Sequence, residues 1–124
     1  MLRVVRLGTP RASGEGLRLG TVRHLPRAVR KQDYARRDFF DLWLPDLAPS
    51  AGLFKFVRAG GRWQTFARRY QAEMRKPQQQ RLLALLARLS QQADLSVGCY
   101  CEDETRCHRS LLKKLLADHG AKVS

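Results

Sequence analysis

At 124 residues, with 44% apolar and 28% charged positions, the chain has the size and composition of one globular domain, 1–124, able to bury a core without disulfides or metal. Its longest uninterrupted apolar run, LLALLA at 82–87, is far too short to span a membrane, and MLRVVRLGTPRASG lacks a signal-peptide core, so a cytoplasmic location without membrane contact is expected. Lys and Arg number 24 against 11 Asp and Glu, a net charge of +13 whose field attracts nucleic acid or phosphorylated small molecules; a merely solvated basic surface is the alternative.

In chain order, LRVVRL (2–7) and LRLGTVR (17–23) read as strands separated by the turn-forming TPRASGEG. That connection is too short for a crossover helix, which leaves an antiparallel pair or two non-neighbours in one sheet. A polar loop follows, and then FFDLWLPDLAPS, in which Phe40, Leu42 and Leu44 alternate with Asp41 and Trp43. It reads as a third strand at the sheet edge, since Pro45 cannot donate a ladder hydrogen bond. Ser50 is placed to cap a short helix ending near Gly60 and Gly61. Trp63, Phe66, Ala67, Tyr70 and Met74 then share one helical face, and Pro77 starts a further helix with a buried stripe at Leu82, Leu85, Leu86 and Leu89. ADLSVGCYC reads as a strand with Leu95, Val97, Cys99 and Cys101 on one face. The last helix carries Leu111, Leu112, Leu115 and Leu116, with Thr105 or Asp103 as its cap and Gly120 as its stop. Strands at both ends with helices between predict an α/β three-layer sandwich, a small parallel or mixed sheet flanked by helices.

All three cysteines fall within nine positions, in CYCEDETRCHR (99–109). An odd, clustered count is unlike a secreted disulfide framework, so reduced thiols are expected. The segment places Cys99 and Cys101 at a strand's carboxyl end and Cys107 in a helix's first turn, where open α/β sheets bind ligands and where the helix dipole favours an anion or a thiolate. A nucleophile at Cys107 with His108 or Arg109 as partner follows from that placement. Zinc on Cys99, Cys101, Cys107 and His108 is a permitted ligand set, but the spacing speaks against it: Cys-x-Cys on a strand and an adjacent Cys-His pair would need strained turns. No metal ligand is therefore assigned and no cofactor is expected. Cys101 and Cys107 could also pair reversibly. The Cys, five residues, Arg phosphatase pattern is not met, since Arg106 arrives after four. A purely structural account has Cys99 and Cys101 as small buried hydrophobes and Arg109 as a cap. His24 reads as a solvated loop histidine and His119 as a charge at a helix end.

Cys99 and Cys107-His108-Arg109, with TVRHLPR, DLWLPDLAPS and RWQTFARRYQAEM, resemble the bacterial and archaeal family called domain of unknown function 488, in its YeaO-like branch. The resemblance runs from about Leu2 to Leu116 and implies a compact three-layer α/β domain. It carries over Arg23, Pro26, Cys99, Cys107, His108 and Arg109, with no established reaction attached. The chain departs from the family in having Thr21 and Val22 where an aspartate is common before the strand-two arginine, Cys101 where an acid is common, and a CHR motif that the YeaO-like branch tends to lack.

These readings together predict that ligand-binding Arg23, Arg27, Arg109, Cys99 and Cys101 converge with catalytic Cys107 and His108 on one crevice. The expected function is binding of a phosphate-bearing ligand, a nucleotide or nucleic acid. The alternatives are a thiol enzyme or redox sensor using Cys107, and a nucleic-acid-binding module contacting phosphates through Arg36, Arg37, Arg68 and Arg69.

Overall fold

A computed structural model describes residues 1–124, the side chain of Glu104 excepted. Four strands, β1 (Leu2–Arg6), β2 (Leu17–Gly20), β3 (Leu42–Trp43) and β4 (Leu95–Cys99), form one sheet in the order β1-β4-β2-β3. Every pairing is parallel. The last strand in sequence therefore inserts between the first two, with Leu95 opposite both Leu2 and Leu17, and the choice left open for β1 and β2 resolves to non-neighbours. As the central strand, β4 is buried at all five positions, which explains its continuous LSVGC character. It ends at Cys99, two residues before the expected end, so Cys101 does not share its face. β3 is the predicted edge strand but keeps only two residues, with Leu42 57% exposed.

Four helices, α1 (Ala51–Arg58), α2 (Trp63–Met74), α3 (Pro77–Leu89) and α4 (His108–Asp118), complete an α/β sandwich. Their buried side chains, among them Leu53, Phe66, Tyr70, Leu83 and Leu112, form one core with Leu2, Leu19, Leu95 and Val97 of the sheet. Each such leucine contributes about 1.5–3 kcal/mol by leaving water. Ser50 caps α1 as expected, its Oγ accepting from the Leu53 amide at 3.2 Å, and Glu73 of α2 accepts from the Ser50 amide at 2.9 Å and Oγ at 2.5 Å. The stripe expected on α3 is displaced: Leu83, Leu86 and Ala87 are buried, while Leu85 and Leu89 are 53% and 43% exposed. LLALLA offers two helical registers of nearly equal apolarity, and packing against α4 selects the one the spacing did not favour.

The opposite sheet face is covered by the segments 7–16 and 34–40. Arg18 is fully buried there, giving Nε and Nη2 to Glu15 Oε1 at 3.1 and 2.7 Å and Nη1 to the carbonyls of Thr9 and Asp38 at 2.9 and 2.6 Å. Gly20 admits this cover, since a Cβ there would stand 2.4 Å from the Phe40 ring. At the carboxyl ends of β1, β2 and β4, Leu7, Val22 and Cys99 join Phe40 and Cys107 in a second, smaller cluster. Among the described residues no helix is long and apolar enough to cross a membrane.

Candidate functional site

The strand ends of β2 and β4 and the start of α4 enclose a cleft of about 340 Å³. Its floor holds Cys99, Cys101, Cys107 and His108; its walls include Phe54, Trp63 and Tyr100, with Arg23 and Arg106 also lining it. A second cavity of about 630 Å³ adjoins it through shared His24, Phe54 and Tyr100, and adds Phe39, Arg27 and Arg58. The structure thus brings Arg23, Cys99, Cys101, Cys107 and His108 into one cleft and Arg27 into its neighbour.

Arg109 is the exception to the expected convergence. It is 4% exposed, buried in the first turn of α4 outside both cavities, and its Nε has no hydrogen-bond partner among the described residues. The physical reason is helical phase: residues 108 and 109 stand four and three positions before Leu112 and share its buried face, in a helix that begins after Cys107, not at Thr105 or Asp103. Asp103 instead caps a 3₁₀ turn over 104–106, accepting from the Thr105 amide at 3.0 Å.

Arg23 is anchored to the backbone, giving Nε to Pro49 O at 2.9 Å and Nη2 to Pro45 O at 3.0 Å, so part of its donor capacity holds the β3–α1 connection in place. His24 is no isolated loop residue. It packs edge-on against Phe54 with centroids 4.8 Å apart, and its carbonyl accepts the Tyr100 hydroxyl at 2.9 Å.

His108 lies 2.6 Å through Nε2 from the Thr21 carbonyl oxygen. A carbonyl only accepts, so Nε2 carries the proton and Nδ1 is left with its lone pair, 3.8 Å from Cys107 Sγ. Burial drives the imidazole down to about 4, against the Thr21 hydrogen bond, and it is neutral near pH 7. Its adjacency to Cys107 requires no strained turn: the extended cap conformation at Cys107, φ −133° and ψ 148°, turns both side chains inward.

The sulfurs of Cys99, Cys101 and Cys107 all lie within 4.8 Å of one another. Cys99 and Cys107 are joined through their sulfurs across Cα atoms 7.8 Å apart, where reduced thiols and a reversible Cys101–Cys107 pair were expected, because the end of β4 and the cap of α4 bring these two buried side chains together and leave Cys101 free. Cys101 is exposed, against the structural reading of it as a buried hydrophobe. Desolvation by its neighbours raises its thiol pKa, opposed by the charges of Arg109 and Arg6.

Sequence reasoning did not single out Phe54, Tyr100, Arg58 or Arg106 as cleft residues, and it counted Trp63 as core. Trp63 opens α2 at the cleft wall, where only tertiary placement reveals its role.

A family model described as the active DUF488-N3 subclade, DUF488-N3a, matches residues 2–120 of the chain, and the chain belongs to that family. No curated protein and no solved structure was found to match it.

Proposed function

We propose that this DUF488 protein binds a phosphate-bearing aromatic ligand, a nucleotide or a nucleotide unit of nucleic acid, in the cleft at the carboxyl ends of its strands. One observation carries the reading: two adjoining cavities share the aromatic walls His24, Phe54 and Tyr100 and are bordered by Arg23, Arg27, Arg58 and Arg106. A base stacks on aromatic faces with about 1–3 kcal/mol per base, and guanidinium groups take its phosphate bidentately. Arg58 already lies with its guanidinium carbon 5.7 Å from the Phe54 ring centre, one charge over one stacking surface. The crevice outside the carboxyl ends of parallel strands is also where open α/β sheets hold such ligands. Action in the cytoplasm, and kinship with the YeaO-like branch, belong to the same reading.

Trp63 in the wall supplies the readout. Titration with a mononucleotide, the matching nucleoside and inorganic phosphate, followed by tryptophan fluorescence, is expected to show the nucleotide binding more tightly than either part, with a Kd of about 1 mM or below. Arg27→Ala and Arg58→Ala each reduce the salt dependence of oligonucleotide binding by about one unit of log–log slope. No nucleotide response, or one indifferent to salt and to both substitutions, refutes the reading.

A second reading, thiol chemistry at Cys107, is favoured by the His108 contact and by the description of the subclade as active. In it, with the Cys99–Cys107 link reduced, His108 Nδ1 takes the Cys107 thiol proton and the sulfur displaces a leaving group from an electrophilic carbon of a substrate in the cleft: a C–S bond forms as the bond to the leaving group breaks, and the proton passes from His108 to the departing group. Mass spectrometry of the chain after alkylation tests it: Cys107 modified ahead of exposed Cys101 supports the reading, and Cys101 reacting alone removes it.

A further inference from the structure

We propose that the two adjoining cavities receive consecutive nucleotides of a single nucleic-acid strand, one base in each, so that the ligand is an unpaired strand and not a free nucleotide or a duplex. The inference rests on the nucleotide-binding reading and names its substrate class.

The two cavities repeat one chemistry. The cleft of about 340 Å³ sets Phe54, Trp63 and Tyr100 beside Arg23 and Arg106. The neighbouring cavity of about 630 Å³ sets Phe39, Phe54 and Tyr100 beside Arg27 and Arg58. Each offers aromatic faces for a base and guanidinium groups for a phosphate, the combination by which proteins hold unpaired strands. A free mononucleotide would fill one set and leave the other idle. Phe54 and Tyr100 belong to both cavities, which therefore adjoin across a shared wall, as successive nucleotides of one strand require.

Charge agrees with the assignment. Among the described residues, no carboxylate lines either cavity, and none of these four arginines takes part in an ion pair, whereas Arg6, Arg11, Arg18, Arg30 and Arg36 all do. Arg27, Arg58 and Arg106 are exposed, and Arg23 commits Nε and Nη2 to carbonyls but not Nη1. A strand brings one negative charge with every nucleotide, and guanidinium groups without carboxylate partners are suited to receive it.

The rings are set before any ligand arrives. His24 meets Phe54 edge-on with centroids 4.8 Å apart, Phe39 meets Tyr100 edge-on at 6.2 Å, and the Tyr100 hydroxyl is fastened to the His24 carbonyl. Walls fixed in this way lose little freedom on binding. They also discriminate against a duplex, whose bases are stacked on one another and present phosphates to the arginines but no free face to the rings.

Calorimetric titration of the full chain tests the proposal with a mononucleotide, the dinucleotide of the same base, longer single strands and a duplex, each in ribo and deoxyribo form. The dinucleotide is expected to bind at least about 5-fold more tightly than the mononucleotide, the least that a second stacked base supplies. A third nucleotide should add less than the second, and a duplex should bind more weakly than a single strand of equal length. A preference for either sugar supports the proposal and identifies the strand. Arg106→Ala in the first cavity and Arg58→Ala in the second, both at exposed positions where folding is not at stake, should each weaken the dinucleotide several-fold. A mononucleotide needs only one cavity and should respond to only one of the two. A dinucleotide no tighter than the mononucleotide overturns the proposal while the nucleotide reading stands, as does a mononucleotide weakened by both substitutions. A duplex bound as tightly as the single strand overturns it too. Failure of every nucleotide and strand to bind removes both readings.

Discussion

Replacing Glu15 by alanine should destabilise the protein by about 3 kcal/mol, at the lower end of the ~3–5 kcal/mol that follows removal of one partner from a buried ion pair. Arg18 is fully buried and the Glu15 side chain is 5% exposed. Glu15 Oε1 takes two of the guanidinium donors, from Nε and Nη2, and its other oxygen accepts from the Ala12 amide. In Glu15→Ala those donors have no acceptor, whereas Nη1 keeps the Thr9 and Asp38 carbonyls, which places the cost low in the range. Against a total stability of about 5–15 kcal/mol the loss is large. Urea unfolding should show a midpoint lower by roughly 1–3 M at an unchanged slope of about 1–3 kcal/mol per M. Glu15→Gln retains an amide oxygen as acceptor and should lose less. The pH dependence gives a second signature. Burial acts to raise the Glu15 carboxyl pKa, but the Ala12 amide and the Arg18 guanidinium hold it below 4.5 in the folded chain. A carboxylate depressed on folding stabilises fully above its unfolded pKa and loses that contribution as pH falls through the folded value. The native protein should therefore weaken below about pH 4.5 more steeply than Glu15→Ala. A loss under about 1 kcal/mol, or the same acid slope in both, refutes the ion-pair account.

Gly20→Ala places a methyl 2.4 Å from Phe40 Cδ2 and should cost about 1–3 kcal/mol through overpacking, read as a lowered Tm by calorimetry; an unchanged Tm would mean that the Phe40 cover is loose. Ser50→Ala removes the cap of α1 and the hydroxyl donor to Glu73, with an expected loss of about 1 kcal/mol in urea unfolding; no loss would show that water replaces the cap.

Much of the fold was legible because its signals are local. Ser50 after Pro49, Pro77 opening α3, and the aliphatic character of 2–6 and 95–99 depend on neighbours in sequence. What escaped depends on partners far away. The length of β4 was overestimated because Tyr100 and Cys101 continue an alternating pattern while β1 and β2 stop pairing with it at Cys99 and Gly20. The register of LLALLA was decided by α4, some thirty residues on. Arg109 looked like a ligand-binding arginine because it adjoins Cys107 and His108 in sequence, whereas its position three residues before buried Leu112 on α4 sets it on the core face. The convergence of the three cysteines with His108 at the strand ends was legible from the strand–turn–helix pattern; what was not is that Cys107 and His108 turn inward together without strain, because the residue capping α4 is extended.

The cysteine cluster and the cleft meet at Tyr100. It sits between Cys99 and Cys101, its ring lines both cavities, its hydroxyl fastens the His24 carbonyl, and Phe39 meets it edge-on with centroids 6.2 Å apart. Whatever fixes the two flanking cysteines also fixes the wall on which a base would stack. The Cys99–Cys107 link needs no contact with the ligand to shape the cleft, because it removes backbone freedom next to the aromatic ring. That division of labour also accounts for the differing exposures of the cysteines: Cys99 and Cys107 are buried where β4 and α4 must be joined, and Cys101 is exposed where the chain turns outward past the ring.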